Sequence, residues 1–235
     1  MLALLLAAYG FGATLGTSGT TDKILAGYAA NLPATVSYAV WFNRHGAGGG
    51  SNGRIVEKGS TFEQLIQYRT TNGGEIVFGS NWSTTDGSWY TTDDPTVADT
   101  WQHLCLTYDR GATTNDPIIY VDGTLRSLTE SANPDGTATL NTDGITMANR
   151  PANDRAWDGQ FAEFAIYSRI LTADECAWLA KGYAPSTLPV GLVFYAPLTR
   201  NAVDLSGAVS MTVTGALVQP HTRVILPVAP LVISP

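Results

Sequence analysis

The stretch 101–126, WQHLCLTYDRGATTNDPIIYVDGTLR, limits the possible folds more than any other part of the chain. Trp, Leu, Tyr, Ile and Val fill two runs, 101–108 and 118–121, and these residue types suit a pleated, half-buried surface. Between the runs lies a polar loop rich in Gly, Thr, Asn and Asp, and the second run leads straight into Asp122-Gly123. An Asp-Gly pair after an apolar run signals a tight hairpin, because glycine accepts positive φ at no steric cost. Strand, polar loop, strand and Asp-Gly turn predict the middle of an antiparallel sheet.

Trp101-x-His103, Thr107-Tyr108-Asp109 and, after the loop, Tyr120-Val121-Asp122-Gly123 resemble the centre of a laminin-G-like domain of the concanavalin-A-like superfamily. The segment 157–175, WDGQFAEFAIYSRILTADE, is similar to that family's closing strand and short helix. The likeness covers residues 13–182. It implies an all-β, two-sheet antiparallel jelly-roll sandwich, here with extended N- and C-terminal arms. One fold hosts many functions, so the resemblance says less about activity.

At 235 residues the chain fits one sandwich domain, and 44% hydrophobic residues with 24 Gly and 12 Pro supply a core and many turns. Only 14% of residues are charged, below the usual ~25%, which fits neither a disordered chain nor a coiled coil. The net charge is −7, and the 13 Lys and Arg are scattered singly. Nucleic-acid binders cluster basic residues against phosphates, so nucleic acid is not an expected partner. Cys105 and Cys176 occupy positions where the family pattern carries small or branched apolar residues. They are read as separate buried thiols acting as small hydrophobes, in preference to a bridge, and so give no argument for an oxidising compartment.

The organisation expected along the chain has four parts. Residues 1–16 begin MLALLLAAYGFGA, an apolar run with no basic residue before it and too short for a membrane span. They are read as an apolar arm or edge strand and not as a cleaved signal. Residues 17–185 form the sandwich. Within it, 36–42 alternates as a core strand, and the glycine-rich loop 45–53 is a mobile surface hairpin loop, since it lacks the Gly-Lys-Ser/Thr ending of a phosphate cradle. Strands are expected at 24–28, 54–58, 62–69 and 75–79, then a loop dense in aromatics and hydroxyls at 80–94. A second polar loop follows at 131–143, then a closing strand at 160–167. Thr172 and Glu175 form a capping box, and Gly182 ends the short helix. Residues 186–218 carry two or three short strands that either pair as an edge or stand as an appendage. Residues 219–235 hold four prolines among apolar residues and are read as an extended arm.

No signature of catalysis stands out. Glucanases with a related sandwich use two carboxylates held ~5 Å apart, in the spacing Glu-x-Asp-x-(x)-Glu. None of the six glutamates, Glu57, Glu63, Glu75, Glu130, Glu163 and Glu175, stands in that spacing. His45, His103 and His221 are too scattered for zinc, and His103 is expected to be a satisfied structural residue. No nucleophile elbow is present. The chain is therefore read as no enzyme, with no cofactor except, on the family likeness, Ca²⁺. Asp109, Asn115 and Asp116 are the candidate ligands, against a plain turn-forming role. For sugar, Trp82, Trp89 and Tyr90 are read as stacking platforms, with Asn81, Asp86 and Thr91 as hydrogen-bonding partners.

The resemblance extends to free-standing laminin-G-like domains of tailed-phage structural proteins. It implies a non-catalytic capsid decoration or fibre subunit of a virus particle, made in host cytoplasm and located on the virion. Leu4, Leu5, Leu6, Val224, Ile225, Leu226, Leu231 and Ile233 are the expected assembly contacts with other subunits in a homo-oligomer. The alternative is a carbohydrate-binding adhesin module that meets a cell-surface glycan.

Overall fold

The computed structural model describes residues 12–17, 19–198, 202–206 and 209–221. In chain order the strands are β1 (Gly12–Thr17), β2 (Lys23–Ala26), β3 (Thr35–Arg44), β4 (Arg54–Lys58), β5 (Gln64–Arg69), β6 (Glu75–Ser80), β7 (Gly87–Thr91) and β8 (Trp101–Asp109). They continue with β9 (Ile118–Val121), β10 (Thr124–Leu125), β11 (Leu128–Ala132), β12 (Ile145–Met147) and β13 (Gly159–Tyr167). Helix α1 (Ala173–Ala180) precedes β14 (Leu192–Ala196), β15 (Met211–Thr214) and β16 (Leu217–His221).

Period-two alternation sorts these strands into two layers. In β3, Val36, Tyr38, Val40 and Phe42 join the main core, while Ala39 belongs to a second cluster on the other face. The first sheet has the order β10-β9-β8-β3-β13-β1-β16, with β14 also paired to β13. The second runs β11-β7-β6-β5-β4-β12-β2-β15. The main core lies between them, and Phe78, Trp89 and Tyr108 pack there with ring centroids 5.1–5.9 Å apart.

The central hairpin forms as its sequence requires. Val121 pairs with Thr124 across a two-residue turn, and Asp122 and Gly123 take φ of 52° and 73°. Asp122 also accepts from the His103 backbone N–H at 2.8 Å and from the Gln102 amide at 2.9 Å. In α1 the Thr172 hydroxyl accepts from Glu175 N–H at 3.2 Å while the Glu175 carboxylate accepts from Thr172 N–H at 2.9 Å. Hydrogen bonds from Arg169 hold the Glu175 carboxyl down to about 2.

Several expectations need correction. Cys105 and Cys176 are not separate thiols but form a disulfide, with Cα atoms 5.7 Å apart. The helix lies over the outer face of the first sheet, where both cysteines join an apolar cluster with Ala165, Tyr167, Leu171 and Leu179. The stretch 80–94 is not all loop, because it contains β7, whose inward residues are buried alternately. The glycine-rich loop is docked: Gly49 N–H donates to Ala156 O at 2.7 Å, and a Cβ on Gly48 would stand 2.5 Å from that same oxygen. His103 is buried, yet its Nδ1 meets no partner among the described residues, and burial pushes its pKa down to about 3. It is a neutral core imidazole packed on Trp41, not a satisfied one.

The three strands after α1 pair back onto the sandwich: β14 on β13, β15 on β2 and β16 on β1. Pro220 stands in β16, the last strand of its sheet, and edge strands are where a residue without an N–H is tolerated. Gly12 pairs with His221, so β1 and β16 bring both ends of the described chain to one point. Leu4, Leu5, Leu6, Val224, Ile225, Leu226, Leu231 and Ile233 lie outside the described residues.

Candidate functional site

On the side away from β1 and β16, the two sheets end in β10 and β11. The chain steps from one sheet to the other through Arg126 and Ser127, and the two edges leave a groove of about 350 Å³. Its walls are aliphatic. Ile118 and Leu125 are 41% and 61% exposed, and Pro117 and Leu128 complete the lining. Its polar groups are Asp116, Arg126 and Glu130. Glu130 registers opposite Trp89 on β7, so alternation turns its side chain to the same side of the sheet as the buried indole. The Trp89 Nε1–H donates to Asp116 Oδ1 at 2.8 Å, which fastens the loop before β9 to the second sheet. Arg126 lies 3.8 Å from Asp93.

The groove unites two residues that the sequence placed in different candidate sites. Trp89, expected to stack a sugar, is 1% exposed and offers no ring face; it shapes the floor and orients Asp116. Asp116, expected to hold calcium, has one oxygen taken by that indole. The other proposed ligands form ordinary turns: Asp109 Oδ1 accepts from Gly111 N–H at 2.8 Å, and Asn115 Nδ2 donates to Asp109 O at 3.0 Å. Among the described residues no three His, Cys, Asp or Glu side chains gather in a group that could hold an ion.

The remaining sugar candidates disperse. Trp82 is buried and its backbone N–H donates to Asp86 Oδ1 at 2.9 Å, while Asn81 Nδ2 donates to Thr61 O at 3.1 Å. Tyr90, next to Trp89 on the strand, points to the outer face of the second sheet, where the Arg69 guanidinium sits 5.5 Å from its ring centre. Sequence reasoning missed Arg126, Glu130, Ile118 and Leu125. A charged residue facing inward on a short strand after the Asp-Gly turn, as in 128–132, was the available signal for Glu130.

Other ionisable groups are engaged elsewhere. Glu63 pairs with Arg110, Glu57 with Arg54 at 2.6 Å and Glu75 with Arg69 at 2.5 Å. Glu163 sits at a bulge in β13 with φ of 55° and accepts from the Tyr195 hydroxyl; burial pushes its pKa up to about 7. No helix among the described residues is long and apolar enough to cross a membrane.

Among solved structures, a candidate carbohydrate binding protein from Bacteroides ovatus aligns with a TM-score of 0.66 and 15% identity over 90% of this chain. The chain spans 60% of that protein's length. The heptameric SAP-like pentraxin of Limulus polyphemus aligns with a TM-score of 0.60 and 12% identity, over 90% of this chain and 95% of the other. These likenesses show the fold. No curated protein sequence matches the chain. A laminin-G family model, described as concanavalin A-like lectin/glucanases superfamily, matches residues 18–177. With most of its length so matched, and with the jelly-roll sandwich already evident, the chain belongs to the concanavalin A-like lectin/glucanases superfamily.

Proposed function

We propose that the chain is a non-catalytic glycan-binding module that takes its ligand in the groove between β10 and β11. One observation carries the reading: aliphatic walls and three convergent polar side chains share a groove of about 350 Å³, the mixture typical of small-ligand sites. Membership of a lectin-containing superfamily and the Bacteroides ovatus likeness support the ligand class. Binding without turnover is supported by the pairing of Glu57, Glu63, Glu75 and Glu175 with arginines, and by the indole held on Asp116. A glycan array followed by titration tests this. Glu130→Lys is expected to abolish binding while the fold is kept, and no reducing ends are to appear on prolonged incubation. Binding untouched by Glu130→Lys, or release of cleaved sugar, overturns the reading.

A second reading, a capsid decoration or fibre subunit anchored through its ends, is favoured by the Gly12–His221 pairing at the edge opposite the groove. Such a particle-borne module holds its neighbours with apolar end segments and leaves the groove free. Sedimentation of the full chain and of a version ending at His221 tests it; identical monomers remove the case. The buried Cys105–Cys176 bond supports a working life in an oxidising space, where such bonds persist.

A further inference from the structure

We infer that the groove selects sugars carrying a free amine, an inference that rests on the glycan-binding reading. Its two carboxylates come from the two sheets: Asp116 from the loop before β9, Glu130 from β11. Each is fixed by one donor. The Trp89 indole N–H holds Asp116 Oδ1 at 2.8 Å. In the orientation that satisfies both ends of its amide, Asn133 donates to Glu130 Oε1 at 3.2 Å and to Thr113 O at 3.1 Å. A carboxylate held through one oxygen presents the other in a set direction, and hydrogen bonds to it from a charged donor are the strong kind.

The cation among the lining residues, Arg126, lies 3.8 Å from Asp93 and its buried Nε meets no partner among the described residues, so one positive charge stands against the two lining carboxylates and Asp93. The groove therefore keeps a negative bias, reinforced by a chain of net charge −7. A sugar bearing a carboxylate or sulfate brings like charge to Asp116 and Glu130 and is rejected. A neutral ring offers only uncharged hydroxyl or amide donors to the carboxylates, which form weaker bonds than an ammonium. An amino sugar offers an ammonium donor to the carboxylates, while its ring carbons lie against Ile118, Leu125 and Leu128. That combination meets both the aliphatic and the acidic parts of the lining.

The test is calorimetric titration of the full chain, at about pH 6 and low salt, with a glucosamine oligomer, its fully N-acetylated counterpart and a uronic acid oligomer of equal length. The amine form is expected to bind about tenfold tighter than the acetylated form, with the uronic form weakest. Asp116→Asn, which keeps an oxygen for the Trp89 indole, and Glu130→Gln are each expected to bring the ratio of amine to acetylated affinity from about tenfold towards one. Acetylated or uronic oligomers bound as tightly as the amine form overturn the selectivity and spare the glycan reading. A folded chain that binds none of the three, or that takes a Lys/Arg-rich peptide instead, overturns both.

Discussion

The helix-covered face of the first sheet and the groove between the sheet edges are built on opposite terms. Beneath α1 the contacts are apolar and covalent: the Cys105–Cys176 bond runs through a cluster that excludes water, with both cysteines 0% exposed. The groove exposes its aliphatic side chains and is drawn together by single polar contacts, the Trp89–Asp116 hydrogen bond and the Arg126–Asp93 pair. Exposed apolar surface that contributes little to the fold is available to a ligand, whereas surface under the helix is already committed. Changes beneath the helix should move stability and leave binding alone, and changes in the groove should do the reverse.

The largest expected effect comes from opening the disulfide. Cys105 and Cys176 are 71 residues apart, and a loop of that size implies a loss of about 4 kcal/mol on reduction or in the double serine variant. Denaturant unfolding measures it, and glycan affinity of the folded fraction should stay the same. A large drop in affinity would show that the two regions are coupled after all.

Next comes Glu163. Its folded pKa of about 7 lies above the ordinary 4.5, so the fold favours the protonated form. Stability is greatest below about pH 4.5 for this group, falls as pH rises towards 7 and stays low beyond, by at most about 3 kcal/mol. Glu163→Gln should flatten that slope and stabilise the chain at about pH 8, as read by melting temperature at two pH values. An unchanged slope would place the titration elsewhere. Removing the helix cap in Thr172→Ala should cost about 1 kcal/mol, again without an effect on the groove. The smallest stability change belongs to Leu125→Ala, within about 0.5 kcal/mol because the side chain is largely exposed. That same substitution should weaken glycan binding several-fold, and the inversion of the two readouts is the sharpest test of the contrast.

The two regions also differ in how legible they were. The Asp122-Gly123 hairpin and the Thr172–Glu175 cap are written within a few residues, so local pattern suffices to find them. The disulfide joins two residues with no local mark of pairing, and each looks apolar in its own element. β7 was obscured because Ser, Thr and Asp surround Trp89, although burial alternates through Gly87, Trp89 and Thr91. The groove draws on separate stretches around 89, 116–118 and 125–130, and only sheet pairing brings them together. Trp89 is 1% exposed where a stacking platform needs an open ring face, because residue type alone does not say which side of a strand a ring occupies.

The Gly12–His221 pairing has a practical consequence. Six strand spacings of ~4.8 Å separate β16 from β10, so this point lies on the order of 30 Å across the sheet from the groove. A fluorescent reporter or surface linker attached at Gly12 or His221 is therefore joined at the edge of the sheet opposite the groove. A sensor chip coupled through a residue of that edge would present the groove edge outward.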